Sequence, residues 1–147
     1  MPTIGERNKN VLNIKNGKTP WKGSMGSDTY NHAQFSEWFW GVRAAVRSLA
    51  AKYLNGKFTI RKIIHSWAPT SDGNEPDKYA ETVARRMGLN PDVDLALFGE
   101  HGSILNHTRL AQLIEEMAQY EQYRGFQIPD NALWSGIMLY ERDFVKD

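Results

Sequence analysis

Trp38, Val42, Ala45, Val46, Leu49 and Tyr53 recur at three- and four-residue steps along one stretch of the chain. That spacing puts them on a single face of an α-helix, which is stable in water only when another element covers it. The same recurrence returns in Ile60, Ile63, Ile64 and Trp67, in Tyr79, Val83 and Met87, and in Leu110, Leu113, Ile114, Met117 and Tyr120. It returns last in Leu133, Trp134, Ile137, Met138, Tyr140 and Phe144. Helices that each need a partner pack together, so the expected fold is mainly α, a compact single helical domain. The 147 residues, 41% of them hydrophobic, supply one real core.

Punctuation between these stripes sets the expected boundaries. Ser36 is placed to cap the first long helix, Glu37 to favour its positive end, and Asn55-Gly56 to stop it. Thr59 caps the second helix, which Pro69 ends. Asn74 is expected to cap the third, with Pro76 in its first turn and Gly88 closing it. Asn90-Pro91 is expected to open a short helical turn through Phe98. Asn106 opens the next helix, which runs to about Tyr123, and a last one follows Pro129-Asp130 with a charged end that frays. Residues 1 to 34, rich in Asn, Gly, Lys, Ser and Thr, read as an irregular segment anchored by a few apolar side chains. The expected organisation is a helical domain over residues 1 to 127 and a C-terminal helix over residues 128 to 147. That helix's Trp, Ile, Met, Tyr and Phe cover either this domain or a partner chain.

Charge and composition narrow the chemistry. With 18 basic and 17 acidic residues the net charge is +1, so no strong overall field draws the chain to nucleic acid or an anionic membrane. No run approaches the roughly 18 apolar residues that span a bilayer, and the first residues lack the apolar stretch of a secretory signal, so the product is expected in the cytoplasm. The absence of cysteine excludes thiol nucleophiles, disulfides and cysteine-ligated zinc. His32, His65, His101 and His107 lack the i, i+4 spacing around a glutamate that a zinc hydrolase uses, so no metal and no cofactor are expected. His65 reads as a partner for the adjoining Trp67-Ala68-Pro69 turn. Asp72-Gly73-Asn74 does not complete a calcium loop and reads as a turn that organises its surroundings.

The run Arg7-Asn8-Lys9-Asn10-Val11-Leu12-Asn13-Ile14-Lys15, followed by Trp21-Lys22-Gly23, resembles the Arg-Asn-Asn-Asn-Pro-Gly-Asn-Ile-Arg and Trp-x-Gly opening of a family of small phage and prophage virion structural proteins. The resemblance continues through Phe35, Gly41-Val42-Arg43-Ala44, Tyr53, Thr59, Trp67-Ala68-Pro69 and Asp72-Gly73-Asn74 to about residue 120. Val11-Leu12 stands where the family has Pro-Gly, and Lys9 where it has Asn, so the opening turn here has its own local shape. A second likeness is to lysozyme-like endo-β-N-acetylglucosaminidases, carried by the order of Asn13-Ile14-Lys15, Trp21, Phe35 and Tyr53. Those enzymes place the catalytic glutamate on a helix upstream of the Asn-rich segment, where this chain has only Glu6.

The first resemblance implies a virion or tail-associated protein, made in the host cytoplasm and then carried in the particle, assembling with other virion proteins or with itself. The second implies a lysozyme-like fold and an enzyme that cuts peptidoglycan. Glycoside cleavage needs an acid to protonate the leaving oxygen and usually a second carboxylate about 5 to 9.5 Å away. Glu6 is the first candidate acid. Asp28 and Glu37, with Asp72 and Glu75 behind them, are candidates for the second group. Asn13, Trp21, Trp40, Asp72 and Asn74 are the residues expected to touch substrate, whereas Trp38 and Trp67 sit on apolar stripes and are expected in the core. Glu6 reads more readily as an exposed loop carboxylate than as an acid, and Glu37 as a helix N-terminal charge.

Overall fold

A computed structural model of the chain describes residues 2 to 69, 73 to 129 and 131 to 145. They form six α-helices and one two-stranded antiparallel sheet, in the order α1 (Ile4–Asn8), β1 (Ser24–Ser27), β2 (Ala33–Phe35), α2 (Trp38–Leu54), α3 (Ile60–Trp67), α4 (Pro76–Met87), α5 (His107–Glu121) and α6 (Ala132–Phe144). The expectation of a mainly helical body stands. Among the described residues no helix is long and apolar enough to cross a membrane.

Helix α2 is the axis of the core. Val42, Ala45, Val46 and Leu49 are fully buried, and α6 packs along it. Two glycines permit that approach. A Cβ on Gly136 would overlap Val42 and the Phe39 carbonyl, so α6 lies directly against the α2 backbone. A Cβ on Gly41 would overlap the Lys9 carbonyl, so the end of α1 sits equally close on another side. Helix α3 packs on α4 and α4 on α5, and the buried faces of these helices are the apolar stripes of the sequence.

The start of the chain is more ordered than expected. Thr3 Oγ1 accepts from the Glu6 amide at 3.1 Å and Glu6 Oε1 accepts from the Thr3 amide at 2.8 Å, a reciprocal cap that holds α1. Strands β1 and β2 pair Ser24 with Phe35 and Ser27 with Ala33 across a bulge, and Lys15 bridges to His32. Residues 14 to 35 thus form a small β unit on a helical body.

Several boundaries move. Glu37 occupies the cap position of α2 without a side-chain bond, and Ser36 makes none to the helix. Glu75 occupies that position at α4, while Asn74 donates to the Pro69 carbonyl at 3.3 Å. Thr59 and Asn106 cap α3 and α5 as expected, accepting from Lys62 and Arg109 amides. The helical turn expected after Asn90-Pro91 is instead a turn and an extended segment, because Asp94 Oδ1 accepts from the Ala96 amide at 2.8 Å and holds Ala96 at positive φ. That local bond outcompetes helix propagation. The charged end of α6 is pinned: the buried Arg43 donates to Asp143 at 2.8 Å and lies over the Phe144 ring. Arg142 and Arg43 hold the Asp143 carboxyl well below the usual carboxylate range.

Candidate functional site

A chain segment with little regular structure must satisfy its backbone polar groups by other means, and asparagine carries both a donor and an acceptor suited to that task. Asn10 is fully buried. Its amide nitrogen donates to the carbonyls of Ile14 and Ala33, at 2.8 and 2.9 Å, and its oxygen accepts from the Ile14 amide at 2.9 Å. Asn16 Nδ2 donates to the Gly26 carbonyl at 3.0 Å and to the Ser27 hydroxyl at 2.7 Å. These bonds fold residues 10 to 16 into a tight loop against the hairpin.

Asn13 stands in that loop at a φ of 55°, a left-handed conformation that asparagine tolerates better than most residues. Its amide nitrogen points to the end of α5 and donates to Glu121 Oε1 at 3.2 Å, while Gln122 Nε2 donates to its oxygen at 3.3 Å. Gln122 also bonds the Val11 carbonyl at 3.0 Å and accepts from the Thr3 hydroxyl at 2.6 Å, clasping the N-terminal segment onto α5. From the helical side, the buried Tyr79 hydroxyl donates to Glu121 Oε2 at 2.9 Å. Tyr79 in turn stacks on Tyr120, ring centroids 3.9 Å apart. Each Glu121 oxygen therefore has a fixed donor.

Glu121 lies in a cleft of about 1190 Å³ between the N-terminal β unit and the helices. Asn13, Lys15, Trp21 and His32 line one side. Arg47, Ser48 and Lys52, on one stripe of α2, and Asn55 just past its end line the other, with Trp67 and Asn74 at the end of α3 and beyond it. Burial raises the Glu121 carboxyl above its ordinary value of 4.5, against the bonds from Tyr79 and Asn13 and the field of His32, which lower it. Burial and the neighbouring Glu121 push the Tyr79 phenol well above its usual range, so it remains a donor. A carboxyl raised by burial and reached from an open cleft has the character of a general acid.

His32 stands at the same cleft. Its Nδ1 is 3.0 Å from Asp28 Oδ2, so a proton on Nδ1 satisfies that carboxylate and leaves Nε2 as the basic nitrogen. Burial would raise Asp28, but bonds from the His32 amide and ring, Asn8 and the Tyr30 amide outweigh it and bring the group to about 2. Asp28 is thus a fixed anion that orients His32. Its own oxygens are occupied by Asn8 at 3.0 Å and by two backbone amides at 2.9 Å.

The other expected site residues separate into those at the cleft and those away from it. Asn13, Trp21 and Asn74 line it. Trp40 does not: it packs beside Phe39 with Lys22 over its ring. Glu6 is also outside, committed to the Thr3 cap and to the Tyr123 hydroxyl at 3.3 Å, and the Thr3 bond lowers its pKa, the wrong direction for an acid. Glu37 is exposed at the start of α2 and Glu75 at the start of α4, neither lining the cleft. Asp72 lies outside the described residues. Trp67, expected in the core, is half-buried and faces the cleft, with Lys52 Nζ 5.6 Å above its ring. His65 bonds Asp77 of α4 at 2.8 Å in place of the adjoining turn.

Sequence reasoning missed Glu121 and His32. One signal for Glu121 was present: it is the last residue of α5, where the negative end of the helix disfavours a carboxylate, so an acid there has a reason other than helix stability. Among the described residues no three His, Asp or Glu side chains converge to hold a metal. Compared with known protein families and with curated proteins, the chain matches none.

Proposed function

We propose that the protein is a peptidoglycan-cleaving glycosidase with Glu121 as its general acid. The observation that carries this reading is the Glu121 carboxyl, raised by burial, bonded by Asn13 and Tyr79, and open to a cleft flanked by Trp21 and Trp67. A β unit facing a helical body across a cleft supports the lysozyme-like reading of the fold. In the proposed step Glu121 gives its proton to the glycosidic oxygen as the bond from the anomeric carbon to that oxygen breaks, and the leaving sugar departs as an alcohol. Water adds to the anomeric carbon, and His32 Nε2 takes its proton. Glu121 is the only carboxylate among the described residues lining the cleft, so the task usually given to a second carboxylate falls to the Asp28–His32 pair. Trp21 and Trp67 bring apolar indole surface to the cleft wall, the Trp67 ring lying under Lys52.

Purified protein should release soluble fragments from isolated cell-wall sacculi, with Glu6→Gln retaining that release and Glu121→Gln losing it. No release anywhere between about pH 4 and 8, or full release by Glu121→Gln, would remove the proposal. The alkaline limb of the profile reports Glu121. Tyr79→Phe removes a bond that lowers its pKa, so that limb should move to higher pH. A limb that stays put or moves down would mean that another group is the acid.

A virion role is compatible with this activity and has its own support. Trp134 and Met138, spaced i, i+4 on the outer face of α6, are 47% and 66% exposed. Together with the N-terminal resemblance, they support incorporation into a phage particle through α6. Trp134→Ser combined with Met138→Ser should then abolish incorporation without reducing cleft activity, and normal incorporation would exclude that face.

A further inference from the structure

The charge of the cleft differs from that of the whole chain. Lys15, Arg47, Lys52 and Lys57 line it, and the one described carboxylate there, Glu121, is neutral in the form that serves as an acid. A protein of net charge +1 therefore concentrates four cations in one concavity. Low-dielectric walls strengthen such a field.

Among the described residues no carboxylate neutralises these cations. Arg47 lies 4.9 Å from the Phe144 ring, and Lys52 donates to Ser66 Oγ at 2.8 Å while sitting over Trp67. Among the described residues none of the four forms a salt bridge, although Arg43 and Arg61 each find carboxylates close by. Burial first, and the nearby Lys57 after it, lower the Lys52 pKa, so the charged Lys52 does not stabilise the folded state. Internal stability does not explain the grouping.

We infer that the α2 side of this cleft, through Arg47, Lys52 and Lys57, binds carboxylates carried on the glycan, those of the peptide stems that branch from a peptidoglycan strand. The inference rests on the proposed function, since Glu121 must meet a sugar in the same cleft. It adds that a neutral sugar chain alone is an incomplete ligand. Nucleic acid, the other common polyanion, fits less well, because a buried protonatable carboxyl has no use beside a phosphate backbone.

The test uses the full chain carrying Glu121→Gln, so that ligands survive. Its affinity is measured for solubilised glycan strands with peptide stems, for the same strands with their carboxylates amidated, for neutral chitin oligosaccharides and for oligo-dT. Stem-bearing strands should bind roughly tenfold more tightly than amidated ones, with a salt dependence the amidated strands lack. Adding Arg47→Gln and Lys57→Gln should remove that advantage and leave chitin binding unchanged. Equal affinity for charged and amidated strands, loss of chitin binding in parallel, or tighter binding of oligo-dT would each overturn the inference. Absence of cleavage by the unaltered protein counts against the proposed function alone, because binding is read without it.

Discussion

Glu121→Gln is expected to lower cleavage of cell-wall glycan by about 10²- to 10⁴-fold, the usual contribution of a positioned acid, while leaving the protein at least as stable as before. The second half follows from the sign of the pKa shift. Burial raises the carboxyl in the folded state, so the folded protein holds that proton more tightly than the unfolded chain does. The resulting stabilisation is fully present below the ordinary glutamate value of 4.5 and is lost as pH rises through the folded-state value. Wherever the group is ionised, its buried charge is a burden that glutamine does not carry. Glutamine also fits the donors. Asn13 can donate to its oxygen, while the Tyr79 hydroxyl can turn to accept from its NH₂ and donate to the Met117 carbonyl, 3.4 Å away. Melting temperatures of the two proteins from pH 5 to 8 should show the parent losing stability relative to the variant as pH rises. A variant that is both inactive and unfolded would refute this account of Glu121, since activity would then have been lost through structure.

Asn10→Ala is expected to cost about 2 to 4 kcal/mol, because the Ile14 amide and the Ala33 carbonyl lose their side-chain partner inside the protein. The Ile14 carbonyl keeps its bond from the Ala33 amide at 2.8 Å, which sets the upper bound. At this chain length that is a fall of roughly 5 to 15 °C in melting temperature. The loop bearing Asn13 should loosen with it, so activity should fall even at temperatures where the helices persist. A change under 1 °C would show that water replaces the amide without penalty.

What could be read from the sequence was local. Thr59 and Asn106 signal helix starts because the cap bond spans three residues, and apolar stripes signal buried faces because helix geometry repeats. Ser36 and Asn74 mislead by one position, since a side chain with cap chemistry does not reveal whether its oxygen faces the helix. The β unit was hidden: Ser-Met-Gly-Ser in β1 has no alternation of apolar and polar residues, and the Asn10 and Asn16 side chains bond the Ala33 and Gly26 carbonyls from outside the strand pair. Asn13 and Trp21 were found through their place in an ordered motif. Glu121 was not, because its place at the end of α5 is the one local sign it gives, and that sign names no partner. Its meaning comes from Tyr79 and Asn13, which only the fold delivers.

The bond from Asn13 to Glu121 joins residues 108 positions apart, and the clasp from Thr3 to Gln122 joins residues 119 apart. Contacts of that reach close late, because the loop entropy must be overcome before the bond returns anything. The helices of the core can consolidate around α2 while the acid still lacks one of its two donors. The same ordering applies in the folded protein, where a partial opening that releases only the first segment would disarm the cleft and leave most of the core in place. Hydrogen exchange should therefore find the amides of residues 10 to 16 opening in step with loss of activity, well before those of α2.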